Sequence, residues 1–148
     1  MISYLKCDLF DTNCDIIAHG VNCMGAFGAG VAYFVDRYYP KARDYYFDKL
    51  EEEGWKPGDV QMVLQIDGKY IANCATQDRY LPRGVRHADY DAIRTCMDKV
   101  KRFAKDKGLS IAIPKIGAGL AGGDWNVIES ILKEVFTDYD ATVYYLDK

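Results

Sequence analysis

The chain has 148 residues, a length that fits one domain, and a formal net charge of −3 at pH 7. Apolar residues make up 49% of it and aromatic residues 14%, which is ample for a packed core. The negative charge argues against a general electrostatic attraction to nucleic acid or to a membrane surface. No apolar run approaches the roughly 20 residues that span a bilayer, and the first residues lack the pattern of a signal peptide.

The five cysteines are scattered along the chain, with no CxxC pair and no cysteine–histidine spacing typical of a zinc site. Free thiols in a reducing compartment account for them. We therefore expect a cytoplasmic protein whose function requires neither a metal ion nor a cofactor.

The first half of the chain predicts two strands, two helices and a hairpin. Pro40 ends the first helix, because the residue before a proline disfavours the α conformation. The second helix places Ala42, Tyr45, Tyr46 and Leu50 on one side, and Asp67-Gly68 is typical of a type I′ hairpin turn. The predicted strands cover residues 2–7 and 15–21, the helices 31–38 and 41–53, and the hairpin arms 59–66 and 69–75.

The second half continues with a polar loop over 78–88 and a helix from Tyr90 that Asp89 caps and Gly108 ends. A strand over 109–114, a helix capped by Asp124 and a final strand over 141–146 follow. The last helix is expected to bury Val127, Ile128, Ile131, Leu132, Val135 and Phe136. This alternation predicts an α/β fold, with a mixed, mostly parallel sheet between helical layers.

A glycine-rich loop, residues 117–124, joins a predicted strand to a predicted helix. Glycine permits a close backbone approach, and a helix start offers unpaired N–H groups, so the arrangement is typical of phosphate binding. It is neither a Walker loop nor the dinucleotide fingerprint, because the lysine of the first and the acidic residue of the second are absent. Four glycines in seven positions exceed what a turn needs.

A second glycine-rich loop, residues 22–30, also follows a strand and leads into a helix. Ligands of such folds bind beyond the carboxyl ends of the strands, so the two loops are expected to converge there. A diphosphate with groups attached is the simplest ligand that needs both loops. Asn22, at the start of this loop, either contacts the ligand or merely turns the chain.

Two polar residues near these loops are candidates for catalysis. His19 is either a packed core residue or a general acid or base beside the phosphate. Asp124 either caps the helix or orients and deprotonates water. Either role suits each residue type, and the sequence leaves both open.

Other candidates flank the expected cleft. Asp8, after the first strand, is either a turn residue or an acceptor for the exocyclic amine of a base, and Tyr144 either packs in the core or stacks on a purine. The loop residues Gln77, Asp78, Arg79, Arg83 and Arg86 either cover a bound anion or remain solvated.

The whole chain resembles the macrodomain family of ADP-ribose-binding modules. Asn22 followed by Gly28-Ala29-Gly30-Val31-Ala32 resembles the first ligand loop of the family. Residues 113–120, Ile-Pro-Lys-Ile-Gly-Ala-Gly-Leu, resemble the phosphate-binding loop. Lys6-Cys7-Asp8-Leu9 resembles the segment whose aspartate contacts adenine, with Cys7 in place of the usual glycine, and Thr142-Val143-Tyr144 resembles the last strand.

Within the family, the likeness is to the subgroup that includes the yeast-type ADP-ribose-1''-phosphate phosphatase and the terminal ADP-ribose glycohydrolase. Residues 18–25, 28–33 and 39–42 are similar to the phosphatase. His19 stands where the phosphatase carries a histidine implicated in catalysis. The glycohydrolase branch uses a lysine where Gln77 stands after Thr76, and an aspartate that aligns with Ala121. The lysine-based mechanism is therefore disfavoured.

The resemblance implies a three-layer α/β/α macrodomain over residues 1–148 that hydrolyses ADP-ribose-1''-phosphate to ADP-ribose and phosphate. His19 and Asp124 would be catalytic. Asp8, Leu9 and Tyr144 would bind adenine, and Asn22, Gly28 and Gly30 the distal ribose. The diphosphate would lie on Val31 and on Gly117, Ala118, Gly119 and Leu120, and Thr76 and Gln77 would complete the ligand site.

Two other functions share this pocket. One is a hydrolase that removes ADP-ribose from protein or nucleic acid, so that ADP-ribosylated macromolecules would be its partners. The other is a reader that binds ADP-ribose without chemistry. A general nucleic-acid-binding module is disfavoured by the net charge and by the lack of a basic aromatic strip.

Overall fold

A six-stranded sheet with helices on both faces forms the domain in the computed structural model, which describes residues 1–146. The strands are β1 (Ile2–Lys6), β2 (Ile16–Val21), β3 (Val60–Leu64), β4 (Tyr70–Ala75), β5 (Ile111–Ile113) and β6 (Ala141–Tyr145). The helices are α1 (Val31–Tyr38), α2 (Pro40–Glu52), α3 (Tyr90–Lys107) and α4 (Trp125–Val135). This is the predicted order of strands and α-helices.

The strand order is β1-β6-β5-β2-β4-β3, and every pair is parallel except β3 with β4. The predicted mixed, mostly parallel sheet is therefore confirmed. β2 lies between β5 and β4, and its residue Ile16 is in register with Ile111 on one side and Tyr70 on the other. The carboxyl ends of β5, β2 and β4 consequently lie side by side at one edge of the sheet.

Successive residues of β2 point to opposite faces and divide the core into two layers. Ile16 and Ala18 pack with α3 and α4, whereas Ile17 and Val21 pack with α1 and α2. Burial of both faces explains why this strand has no polar–apolar alternation. The result is the three-layer α/β/α architecture expected from the sequence.

Helix ends follow the predicted chemistry. The Asp89 carboxylate accepts a hydrogen bond from the Ala92 amide at 3.0 Å and caps α3, and Gly108 ends that helix with a φ of +70°. The Asp124 carboxylate likewise caps α4 through the Asn126 amide at 2.9 Å.

Three local predictions were wrong. Tyr45 and Val127 are exposed, to 43% and 38%, because the buried arcs of α2 and α4 are centred on Tyr46 and Ile128 instead. The β3–β4 hairpin is not a type I′ turn. The Gly68 amide donates to the Gln65 carbonyl and the Gln65 amide to the Lys69 carbonyl, the bonding of a three-residue loop with a left-handed glycine.

A short 3₁₀ helix, Leu9–Asp11, was not predicted; Asp8 caps it by accepting a hydrogen bond from the Phe10 amide at 3.0 Å. All five cysteines are free, as expected. Within the described residues, no helix combines the length and apolar character needed to cross a bilayer.

Replacing Ile128 by alanine tests the role of α4 in the core. Ile128 is fully buried beneath the 117–124 loop, so Ile128→Ala is expected to lower the free energy of unfolding by about 2–5 kcal/mol. Val127→Ala, one position along the same helix, should cost less than about 1 kcal/mol. Urea unfolding of both variants measures the difference, and equal losses would contradict the observed phase of the helix.

Candidate functional site

Three loops meet at the edge where β5, β2 and β4 end. Residues 22–30 follow β2, residues 114–124 follow β5, and residues 76–89 follow β4. The Cys23 amide donates to the Asp78 carbonyl at 2.9 Å, and the His87 amide donates to the Ala121 carbonyl at 2.8 Å. The third loop is thus bonded to both glycine-rich loops, and the expected convergence is observed.

The 22–30 loop is shaped by Asn22, which is 9% exposed. Its carboxamide oxygen accepts from the amides of Met24 at 2.9 Å and Ala26 at 3.3 Å, and its amino group donates to the Ala26 carbonyl at 2.8 Å. The Tyr46 hydroxyl donates to the Asn22 carbonyl at 2.7 Å. Asn22 therefore holds the loop in shape, which is the structural one of its two predicted roles.

The 22–30 loop ends in exposed glycines. Gly28 has no non-neighbouring atom within 4 Å of the place a Cβ would occupy, and its φ lies outside the left-handed range. Gly30 has a φ of +61° and precedes α1 without a side-chain cap, so Val31 begins the helix. The first turn of α1 is consequently open to an anion.

The 117–124 loop contains glycines of two kinds. A Cβ on Gly123 would lie 2.6 Å from the Gly117 carbonyl oxygen, and one on Gly117 would lie 2.9 Å from Ile93 Cδ1. Gly117 and Gly122 also have φ values of +79° and +72°. These three are required by the fold, whereas Gly119 is exposed, has no left-handed φ and has open space around it.

Gly119, Ala118 and Leu120 therefore form the accessible part of this loop. Leu120 is 75% exposed and Ala118 is half-buried against the core. The loop holds its shape through main-chain bonds, the Gly123 amide to the Gly117 carbonyl and the Gly122 amide to the Gly119 carbonyl. A backbone fixed in this way, with little side chain in front of it, is suited to bind an anion through N–H groups.

His19 lies under the loops. The side chain is fully buried, its ring meets the Phe27 ring edge-on at 5.5 Å, and its Nε2 is 2.6 Å from Asn73 Oδ1. Asn73 is the residue paired with His19 across β2 and β4. Neither imidazole nitrogen reaches solvent, so the structure places His19 in the packed role rather than in the cleft.

The hydrogen bonds around Asn73 assign the tautomer of His19. Asn73 Nδ2 donates to the Ala42 carbonyl and to Gln61 Oε1, both at 3.0 Å, so Oδ1 must be the acceptor. His19 Nε2 therefore carries the hydrogen and Nδ1 the lone pair. Nδ1 has no partner among the described residues, and burial lowers the pKa of His19 to about 4.

The adenine-side candidates occupy different depths. Asp8 is exposed, and Leu9 and Tyr144 are buried. The Tyr144 hydroxyl accepts a hydrogen bond from the Thr12 hydroxyl at 2.7 Å, and burial raises the pKa of this tyrosine. A cavity of about 490 Å³ opens between the 3₁₀ helix, the end of α1 and the β3–β4 hairpin. Of the predicted ligand residues, only Asp8 lines it.

Thr76 and Gln77 begin the third loop. Thr76 is buried against Gly20. A Cβ added to Gly20 would lie 2.5 Å from Thr76 Oγ1. The Gln77 side chain donates to the Arg79 carbonyl at 2.6 Å. Asp124, the cap of α4, is exposed, and its amide donates to the Tyr90 hydroxyl at 3.0 Å.

Loops at the carboxyl ends of adjacent parallel strands define a ligand-binding domain of the α/β/α class. The Macro domain family model matches residues 18–132, and the chain belongs to the macrodomain family.

Similar proteins cover nearly all of the chain. An ADP-ribose 1''-phosphate phosphatase of Candida albicans is 28% identical, covering 97% of this chain and 99% of the relative. A DNA ADP-ribosyl glycohydrolase of Mycobacterium tuberculosis is 30% identical over 97% of this chain, which spans 42% of that protein. The structure of the macrodomain of Mycobacterium tuberculosis DarG superposes with a TM-score of 0.86, at 27% identity and 99% coverage of both chains.

The buried, neutral His19 makes stability depend on pH. Its folded pKa of about 4 lies below the unfolded value of 6.5, so the unfolded chain takes up a proton that the folded chain does not. The contribution of His19 to the free energy of unfolding is fully present above pH 6.5. It falls as the pH drops towards 4, by up to roughly 3 kcal/mol. Urea unfolding of the wild type and of His19→Gln across this range measures the difference.

The comparison of these two proteins decides the assignment. His19→Gln should lose the part of the pH dependence that belongs to His19. Parallel curves of unfolding free energy against pH for the wild type and His19→Gln would contradict the lowered pKa, because they would show that folding does not impede protonation of the imidazole.

Proposed function

We propose that this macrodomain binds ADP-ribose and hydrolyses ADP-ribose-1''-phosphate to ADP-ribose and phosphate. One observation carries the proposal: Gly28 and Gly119 are exposed glycines that the fold does not require, on loops that follow the adjacent strands β2 and β5. Neither position has a conformation or a packing contact that requires glycine, and both leave main chain accessible to a diphosphate that lies between the loops.

The diphosphate would accept hydrogen bonds from backbone N–H groups of residues 117–120 and of Val31. Both segments present main chain without an acidic side chain of their own, and the open start of α1 adds a partial positive charge. The distal ribose would lie against Gly28 and Gly30, on the loop that Asn22 holds in shape.

The adenine would lie at the end of β1, where Asp8 is exposed. Asp8 Oδ1 already accepts from the Phe10 amide, and the carboxylate can accept a further bond from the exocyclic amine. Tyr144 is buried and would support this place from below, through its hydrogen bond with Thr12, rather than stack openly on the base.

Hydrolysis would use Asp124 as the group that orients water. Water attacks the phosphorus of the 1''-phosphate, and the bond between phosphorus and the ribose oxygen breaks. The proton that the water loses goes to that oxygen, so the products are ADP-ribose and inorganic phosphate. Asp124 would accept a hydrogen bond from the attacking water, while one of its oxygens continues to cap α4. His19 would act as a positioning residue that holds Phe27 and the 22–30 loop in place.

Removal of ADP-ribose from a macromolecule is the second candidate function. The likeness to a protein named DNA ADP-ribosyl glycohydrolase favours it. The residues of this chain favour the phosphatase reaction instead, because Gln77 and Ala121 stand where the glycohydrolase branch is expected to carry its lysine and aspartate. A reader without catalysis would share the same ligand contacts.

Phosphate release from ADP-ribose-1''-phosphate is the direct test. Asp124→Asn keeps a good helix cap but removes the charge, so it should fold normally and lose roughly 10²-fold or more in turnover. Asp89→Asn, the same change at the cap of α3, is the matched control and should keep full activity. No release by the wild type would exclude the phosphatase, and ADP-ribose set free from modified DNA would then support the second candidate.

Binding of ADP-ribose is tested at the glycines. Gly119→Ala should change the free energy of unfolding by less than about 0.5 kcal/mol, yet weaken ADP-ribose binding roughly tenfold or more, because a methyl group would hold the ligand away from the backbone. Gly123→Ala should instead cost about 2 kcal/mol or more of stability, since its Cβ meets a carbonyl oxygen. Calorimetric titration and urea unfolding measure both, and unchanged affinity in Gly119→Ala would contradict the placement of the diphosphate.

A further inference from the structure

The segment 77–88 borders the cleft, and the proposed function gives its residues 78–88 no role. The beginning of the segment is bonded to the 22–30 loop, because the Cys23 amide donates to the Asp78 carbonyl. Its end is bonded to the 117–124 loop, because the His87 and Ala88 amides donate to the Ala121 carbonyl. The segment therefore spans the rim between the two loops.

The end of this segment packs directly on the 117–124 loop. A Cβ on Gly122 would lie 3.4 Å from both the Arg86 Cα and the Val85 carbonyl oxygen, so the two main chains are in contact. The Arg86 guanidinium lies 4.3 Å from the centre of the Tyr90 ring, and the Tyr90 hydroxyl accepts a hydrogen bond from the Asp124 amide. Arg86 is thus linked through one side chain to Asp124.

The charge of the segment is opposite to that of the chain. Three arginines and one aspartate give residues 77–88 a formal charge of +2, whereas the chain carries −3. Arg79 pairs with its neighbour Asp78 at 3.7 Å. Arg83 is exposed beside Gly84, whose φ is +83°, and within residues 1–146 it has no hydrogen bond or ion pair.

From these contacts we infer that Arg83 and Arg86 form a second anion-binding element, which takes the phosphate carried on the distal ribose. The inference rests on the proposed placement of ADP-ribose, in which the distal ribose lies against Gly28 and Gly30, on the loop that is joined to this segment by the hydrogen bond from the Cys23 amide to the Asp78 carbonyl. A guanidinium presents several donors in a plane and suits a phosphate group with free oxygens. The element distinguishes ADP-ribose-1''-phosphate from ADP-ribose, which the backbone loops alone cannot do.

The test compares the affinities for ADP-ribose and for ADP-ribose-1''-phosphate at low salt, with phosphate release blocked by Asp124→Asn in every protein used. The parent should bind the phosphorylated ligand more tightly, and adding Arg83→Gln should lower that affinity roughly tenfold while leaving ADP-ribose unchanged. Adding Arg86→Gln should lower it further. Arg102→Ala, an exposed arginine near the far end of α3, is the control.

Each result decides the inference. A preference for the phosphorylated ligand that vanishes in Arg83→Gln/Arg86→Gln supports it, and a preference that persists there, or was never present, overturns it. Equal loss for both ligands overturns it too, because the arginines would then bind the diphosphate. Failure of the parent protein to bind ADP-ribose would overturn the proposed function itself, and the inference with it.

A phosphodiester of nucleic acid offers the same chemistry as the 1''-phosphate. Titration of an unmodified single-stranded oligonucleotide, with the parent and with the arginine variants, separates the two sources. If Arg83→Gln lowers the affinity for the oligonucleotide as strongly as for ADP-ribose-1''-phosphate, the arginines bind nucleic acid and the inference is overturned.

Discussion

The pairing of β2 with β5 on one side and β4 on the other is the constraint on which the site depends. All three strands run parallel, so their carboxyl ends and the loops that follow them must appear at one edge. Each glycine-rich loop supplies one short run of backbone N–H groups at this edge. Parallel pairing brings the two loops to the same edge although residues 31–116 separate them along the chain.

The structure separates the glycines that the fold needs from those that it does not. Gly117, Gly122 and Gly123 are packed against other atoms or have left-handed φ values, so glycine at these positions is explained without any ligand. The number of glycines in the 117–124 loop is therefore not by itself a sign of phosphate binding. Gly28 and Gly119 are stronger evidence, because a side chain at either would meet nothing in the protein.

Much of the fold could be predicted from the sequence, because the long amphipathic helix α3 and the buried strands have clear periods and clear ends. The errors have physical causes. Gly68 serves a type I′ turn and a three-residue loop equally well, so its presence could not select between them. The apolar residues of α4 span about 160° of the helix, with Val127 at one edge of that arc, so its exposure depends on how far the neighbouring elements cover the edge.

The sequence indicates which loops meet at the edge of the sheet, but not how deeply the side chains beside them lie. The depth of Tyr144 and of His19 depends on what neighbouring strands and loops bring to them: Thr12 for the first, Asn73 and Phe27 for the second. These are long-range contacts, which a periodic pattern does not contain. The same reason explains why the packing of Arg86 on Gly122 was visible only in the structure.

The surroundings of His19 also explain why the buried imidazole is neutral. Because Asn73 donates both of its amide hydrogens elsewhere, His19 can only donate to it through Nε2, and Nδ1 is left as a buried acceptor without a donor. Burying a neutral acceptor such as this ring nitrogen without a partner costs less free energy than burying a cationic donor without one. Protonation would create that second situation beneath the loop that carries Gly28, at the cost of both desolvation and loop packing. A neutral histidine therefore belongs to the buried packing beneath the cleft.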